Sequence, residues 1–206
     1  MLNKQADLAG PGIGTYEEVA AALPENYASL LTPMETMHAL YGVKRYIEEN
    51  LCKNLGLSMV QVPLIVDRES GVNDMLDRDG SRTPVEFPCG LGLEQRLNAQ
   101  VVQAATKWKR MALKAFGCEI GEGICTDMRA VRKDYFLDHD HSAYVDQWDW
   151  EKTISDDQRN LEYLTETVRS IWKVIKGAED FTRNMFPQLI DPRYPALPDL
   201  SLIHIS

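Results

Sequence analysis

Ser142-Ala143-Tyr144-Val145-Asp146-Gln147-Trp148-Asp149-Trp150-Glu151 alternates as a strand does, and its two faces carry opposite chemistry. A strand places residues i and i+2 on the same side. One face therefore carries Tyr144, Trp148 and Trp150, an apolar load that needs cover. The other carries Val145, Gln147, Asp149 and Glu151. With the aromatic face packed under helices, Gln147 and Asp149 stand side by side on the opposite face, as an amide and a carboxylate would to hold an ammonium group.

Working outward, Ile120 to Val131 and Ser142 to Glu151 are two strands joined by the polar loop Lys133 to His141, an antiparallel hairpin with a long tip. Ser155-Asp156-Asp157-Gln158 is a capping box, and Leu161, Leu164, Val168, Ile171 and Ile175 follow at helical spacing, so a long helix covers the sheet. Upstream, Thr32-Pro33-Met34-Glu35 is a second helix start, with Thr32 as cap and Glu35 reaching back. Met37, Leu40, Val43, Ile47, Leu51 and Leu55 then recur up to a stop at Gly56. Met59 to Val66 alternates as a strand, and Pro63, which cannot donate to a ladder, places it at an edge or an interface. Ser70 to Thr83 is a charged loop, Val85-Glu86-Phe87 and Leu97 to Gln103 are the next strands, and Thr106 to Phe116 is a short helix stopped by Gly117.

The fold class expected is α+β: an antiparallel sheet flanked by two long helices over residues 31–200. Residues 1–30 form an appendage with at most a short helix over Thr15 to Leu23, and Gly10-Pro11-Gly12-Ile13-Gly14 follows no strand, which argues against a phosphate loop. Residues 186 to 199 are Pro-rich and irregular. Residues 201–206 read as a strand begun and not closed, a truncated or foreign end.

The chain has 206 residues, of which 44% are hydrophobic, enough for one sizeable core. Its 22 basic and 31 acidic residues give a net charge of -9, which argues against coating nucleic acid. Cys52, Cys89, Cys118 and Cys125 show no CxxC pairing, so they are expected to be reduced and mostly buried rather than disulfide-bonded or zinc-bound. Residues 1–23 lack the basic and apolar regions of a signal peptide, and no apolar run approaches a membrane span. A cytoplasmic protein with no membrane partner is expected.

Lys107-Trp108-Lys109-Arg110, with Lys114 one turn on, puts four cations on the short helix. A solvated face is the commoner meaning of such a run. Its position beside the Gln147 and Asp149 strand points instead to a carboxylate of the same ligand. Arg132 ends a strand just before the long loop, where a guanidinium can grip a phosphate or carboxylate in bidentate fashion. His139-Asp140-His141 offers two histidines with no third ligand, and the stretch Met75 to Glu86 departs from a calcium loop at its first ligand position, so no metal site is read here. No GxSxG, Walker or HExxH motif occurs.

Helix, strand with proline, then strand, Arg, loop and strand together resemble the first two motifs of class II aminoacyl-tRNA synthetase-type catalytic domains. At closer range, Thr126-Asp127-Met128-Arg129-Ala130-Val131-Arg132, the run Tyr144 to Glu151 and Lys107-Trp108-Lys109-Arg110 resemble the hallmark runs of the ammonia-dependent asparagine synthetase family, aspartate-ammonia ligase. Gly71-Val72-Asn73-Asp74-Met75-Leu76 is similar to that family's acidic loop, and Tyr41 to Val66 to its first helix and strand. The resemblance covers residues 25 to 200.

It implies an enzyme that uses ATP, with Mg2+ on its phosphates, to adenylate the side-chain carboxylate of L-aspartate; ammonia then displaces AMP to give asparagine, with pyrophosphate released in the first step. By the same resemblance, Asp149 and Gln147 hold the substrate amino group and Lys109 a substrate carboxylate. Arg132 steadies the α-phosphate, Ser142 joins it on the nucleotide, and Asp74 positions or deprotonates the attacking ammonium. A homodimer is expected, with its seam along the helix 33 to 55 and the Pro63 strand.

Two departures stand out. Where the family commonly has His-Ser-Leu-Ala, this chain has Gln103-Ala104-Ala105-Thr106, which removes a hydroxyl at Ala104. The family's chain also continues beyond this one into a Gly-rich strand and helix whose Arg grips ATP. The 206-residue chain alone is therefore expected to be aggregation-prone or inactive. The competing readings are an adenylating paralogue of the aspartyl- or asparaginyl-tRNA synthetases, and a non-catalytic module that binds aspartate or adenylate.

Overall fold

A computed structural model of the chain describes residues 28–77, 79–92, 94, 96–135, 141–193 and 195–199. The helix expected over Thr15 to Leu23, His139 with its neighbour Asp140, and the expected end at 201–206 lie outside these residues. The described chain is α+β and falls into two compact units. One comprises Leu64–Ala104 and Arg129–Val145; the other comprises Ser29–Pro63, Ala105–Met128 and the chain from Asp146 on.

The second unit is built on two long helices. Helix α1 spans Pro33–Leu55 and begins as its sequence dictates: Glu35 N donates to Thr32 Oγ1 at 3.3 Å, and Thr32 N donates to Glu35 Oε2 at 2.8 Å. It ends at Gly56, whose φ of 69° is left-handed and whose N–H returns to Cys52 O. A side chain there would be strained twice, since a Cβ would also lie 2.9 Å from the Gly121 carbonyl oxygen. Helix α2 spans Thr106–Ala115 and stops before Gly117, at φ 67°. Helix α3 spans Leu161–Met185 and is capped by Asn160, which accepts from Tyr163 N at 2.8 Å.

The Ser155 capping box does not start α3. It closes a single 3-10 turn, Asp156–Gln158, because Arg159 at φ -78°, ψ 62° leaves helical space and the chain must restart at Asn160.

Ile47, Leu51 and Leu55 of α1 meet Val174 and Ala178 of α3 and Cys125, with Leu57, in one buried cluster. Tyr46 stacks on Phe181 at 5.0 Å beside it. Each fully buried Leu or Ile here contributes roughly 1.5–3 kcal/mol. Trp148 and Trp150 pack against this cluster, as the alternation of their strand requires. Tyr144 does not share that cover and is 51% exposed. At the other end of α1, Met37 and Leu40 continue the apolar period but are exposed.

Two three-stranded sheets replace the single antiparallel sheet expected. In the first, strands β1 (Leu57–Val60), β5 (Gly123–Val131) and β6 (Tyr144–Lys152) lie in the order β1-β5-β6. The hairpin β5–β6 is antiparallel, with Thr153 N donating to Glu122 O at 2.9 Å at one end and Arg132 N to Ala143 O at 2.8 Å at the other. β1, however, pairs parallel to β5, from Leu57 opposite Gly123 to Val60 opposite Thr126. The long stretch of chain between Val60 and Gly123 is the crossover that a parallel pair needs. β6 runs close against Gly123, where a Cβ would stand 2.8 Å from Lys152 Cα.

The other sheet belongs to the first unit. Its strands β2 (Ile65–Asp67), β3 (Glu86–Cys89) and β4 (Leu97–Val101) run in the order β2-β4-β3, both pairings antiparallel. Met59 to Val66 is thus not one strand. Pro63 falls in the break between β1 and β2, where its missing N–H costs no ladder bond. Pro88 sits in β3, an edge strand that tolerates it.

All four cysteines are free, but only Cys125 is buried, a narrower result than expected. Burial, with the neighbouring Cys52 adding to it, pushes its thiol up to about 12. No described helix is long and apolar enough to cross a membrane.

Candidate active site

In the second unit the site is built from α2 and β6. Lys109 and Ala112, one turn apart, form the buried face of α2, while Lys107, Arg110 and Lys114 stay exposed. The cationic run is therefore not a uniformly solvated face. Lys109 is 1% exposed. A buried ammonium requires a counter-charge, and β6 supplies it: Lys109 Nζ pairs with Asp149 Oδ1, lies 3.9 Å from Glu151 Oε2 and donates to Trp150 O at 3.3 Å. Arg110 Nε donates to Glu151 Oε1 at 3.2 Å from outside. Thr126, fully buried on β5, donates its hydroxyl to Asp149 O at 3.0 Å and so fixes the backbone that carries the carboxylate.

Period-two alternation places Gln147, Asp149 and Glu151 on one face of β6. The Asp149 side chain keeps 29% exposure while its lysine partner is shut away, so the pair is open at the carboxylate. Below it, Lys44 of α1 clasps Asp127 at 2.5 Å and Asp146 at 2.6 Å, tying the helix to the hairpin. Partial burial works against the Lys44 charge, but the two carboxylates outweigh this and raise its pKa above the ordinary value.

The first unit holds the other candidates. Asp67 caps the short turn Arg68–Ser70, Gly71 reverses the chain at φ 64°, and the loop then delivers Asn73 and Asp74. Asn73 is the buried staple of that loop. Its Nδ2 donates to Gln100 Oε1 at 3.2 Å and to Val101 O at 3.1 Å, and its Oδ1 accepts from Gln103 N at 2.9 Å. Asp74 N donates to Ala104 O at 3.4 Å, so Asp74 is seated against the segment Gln103 to Thr106, where the sequence departs from the family it resembles. Arg132 reaches the same segment, its Nε donating to Gln103 O at 3.3 Å, with its guanidinium 5.6 Å from the Tyr135 ring centroid.

Asn73, Asp74, Arg82, Thr83, Gln100 and Gln103 are among the residues around a pocket of about 110 Å³ in this unit. Ser142, expected at the nucleotide, is exposed and accepts from Tyr144 N at 3.2 Å, a bond that closes the entry to β6. The structure thus joins Lys109 to Asp149 and brings Asp74 and Arg132 to neighbouring carbonyls. Asn73 and Gln103 were not singled out from sequence. An Asn beside an acidic residue in a loop is an ordinary turn signal, and nothing local marks it as a staple.

Among the described residues, no group of three His, Cys, Asp or Glu side chains is placed to hold a metal ion.

Comparison with known proteins gives the chain's family. The family profile described as aspartate-ammonia ligase matches residues 34–203. The chain belongs to the aspartate-ammonia ligase family. It is 45% identical over 167 residues to the aspartate-ammonia ligase of Clostridium perfringens strain SM101, covering 81% of this chain and 48% of the relative. Against that of Bacillus cytotoxicus the identity is 45% over 163 residues, 79% of this chain and 48% of the relative. Against that of Lactiplantibacillus plantarum it is 41% over 169 residues, 82% and 51%. The chain spans about half the length of the curated relatives it matches. The matched span includes Asp74 and the Lys109–Asp149 pair.

Proposed function

We propose that this chain carries the aspartate-binding and ammonia-accepting residues of a cytoplasmic, homodimeric, ATP-dependent ligase with a class II synthetase-like fold, which converts L-aspartate and ammonia to L-asparagine, AMP and pyrophosphate. The observation that carries this reading is the buried Lys109 paired with the half-open Asp149, with Gln147 on the same strand face.

Such a pair is complementary to a zwitterion. On binding, the α-ammonium of aspartate takes Asp149 and Gln147, while its α-carboxylate takes Lys109. One internal ion pair is exchanged for two intermolecular ones, so neither the buried lysine nor its half-open carboxylate partner is left alone. The β-carboxylate then remains as the reacting group. Its oxygen attacks the α-phosphorus of ATP and the bond to pyrophosphate breaks, giving the β-aspartyl adenylate. Arg132, held by the Gln103 carbonyl, supplies fixed positive charge to the α-phosphate. Ser142 contributes a hydroxyl to the nucleotide. Ammonia attacks the β-carbonyl carbon, the bond to AMP breaks, and the proton shed by the nitrogen passes to Asp74. Magnesium on the ATP phosphates offsets the charge of the leaving pyrophosphate when bound.

Regiochemistry separates this reading from the tRNA synthetase one. A non-hydrolysable acyl-sulfamoyl adenosine linked through the β-carboxylate of aspartate is expected to bind the chain at least about tenfold more tightly than the α-linked isomer. A preference for the α-linked isomer contradicts the proposal.

A further inference from the structure

The pocket beside Asp74 contains a polar group that the roles above leave unused. Gln103 is 1% exposed, and neither Oε1 nor Nε2 of its amide has a hydrogen-bond partner among the described residues. A buried amide left unpaired opposes folding, and folded chains keep such groups chiefly where something beyond the protein completes them.

The surroundings of Gln103 narrow what that is. It shares the space of about 110 Å³ with Asp74, Asn73 and Gln100, which is room for more than one water-sized molecule but not for an amino acid. Asn73 spends its amide on Gln100, Val101 and the Gln103 backbone. Gln100 spends its own on Asn73 and, at 2.6 Å, on Glu86. Arg82, the cation at the rim, pairs with Asp77 at 3.1 Å and lies over the Tyr135 ring at 4.0 Å. The Gln103 amide, the unpartnered group here, lines this space together with the Asp74 carboxylate, and both offer acceptor oxygens suited to a small cation with several N–H donors. The Gln103 amide plane turns about a soft torsion, so its oxygen can be offered to the pocket.

We propose that Gln103 is a second receptor for ammonium beside Asp74, its amide oxygen accepting an N–H and positioning the nitrogen that attacks. The proposal rests on the reading of Asp74 as the carboxylate that handles ammonium. It makes Gln103 a positioning residue that the sequence pattern of the family does not supply.

The test is an NMR titration of the 15N-labelled 206-residue chain with ammonium chloride, against potassium and sodium chloride at constant ionic strength. The Gln103 side-chain signal is identified by its loss in Gln103→Met. It is expected to shift saturably with ammonium and at least about tenfold more weakly with potassium, which has the size but no directed N–H donors. In Gln103→Met the response of the Asp74 backbone amide to ammonium weakens at least about tenfold, while Tm holds or rises because a buried unpaired amide has been removed. If Gln103→Met does not fold, Gln103→Glu decides: it keeps an acceptor oxygen and must retain the ammonium response. Equal responses to all three salts, no saturable shift, an unchanged response in Gln103→Met, or loss of response in Gln103→Glu each overturn the proposal. Such a failure with binding of the β-linked adenylate analogue intact removes only the Gln103 role. Failure of both measurements removes the functional reading beneath it.

Discussion

Lys109→Met abolishes measurable binding of L-aspartate, weakening it at least about 100-fold, and destabilises the fold by about 1–3 kcal/mol. Both effects follow from one geometry. Lys109 is sealed from water, and its partners Asp149 and Glu151 keep 29% and 23% of their side-chain exposure. Methionine fills the stem's volume but removes the cation, leaving two carboxylates on one strand face. Their partial solvation holds the stability cost below the 3–5 kcal/mol typical of a fully buried broken pair. Adding Asp149→Leu to Lys109→Met then recovers stability, since the second substitution removes the uncompensated charge. It does not recover binding, because the ammonium site goes with it. Denaturant unfolding of the two single variants and the double variant, set beside calorimetry with aspartate, reads both quantities. Equal destabilisation in the double and the Lys109→Met variant contradicts the assigned pair.

Asn73→Ala is expected to cost about 2–4 kcal/mol of stability, large for one loop residue. Its amide makes three bonds at 2.9–3.2 Å, all to groups of β4 or the segment that follows it. Alanine leaves Gln103 N and Val101 O without those partners and frees the loop that carries Asp74. Asn73→Asp is no rescue. It keeps an acceptor for Gln103 N, but sets a carboxylate against the Gln100 and Val101 oxygens that now accept from Nδ2. Hydrogen exchange at the Gln103 amide should accelerate in both variants, and urea unfolding gives the free energy. A loss below about 0.5 kcal/mol in Asn73→Ala would show that the staple does not hold the loop.

Local signals in this chain were legible because their partners lie within a few residues. Thr32 and Glu35 form their capping box, Gly56 stops α1, and Trp148 and Trp150 face the helices as alternation requires. Features decided by distant partners were not. The parallel pairing of β1 with β5 depends on where a long crossover returns, which strand periodicity does not encode. Pro63 marked a break in a strand rather than an edge, because two short strands with a proline between them have the same alternation as one. Ser155 and Gln158 do form their box, but an unfavourable Arg159 conformation ends it after one turn.

The candidate site divides in the same way. Gln147 and Asp149 share a face by period two, which any strand guarantees. The burial of Lys109 within a run of four cations was not visible, because a charge run on a short helix is usually solvated, and only the counter-charge from β6 allows one member to turn inward. Gln103 lay further still from view. An amide with no partner is defined by what surrounds it in space, and the sequence shows only that a family residue has been exchanged.

The central claim is that the Lys109–Asp149 pair recognises a zwitterion. Calorimetric titration of the 206-residue chain with L-aspartate and with succinate tests it most directly, since succinate keeps both carboxylates and lacks only the ammonium. The account predicts saturable binding of L-aspartate and at least about 100-fold weaker binding of succinate, because succinate leaves Asp149 without the charge that replaces its lysine. Equal affinity for the two ligands would contradict it.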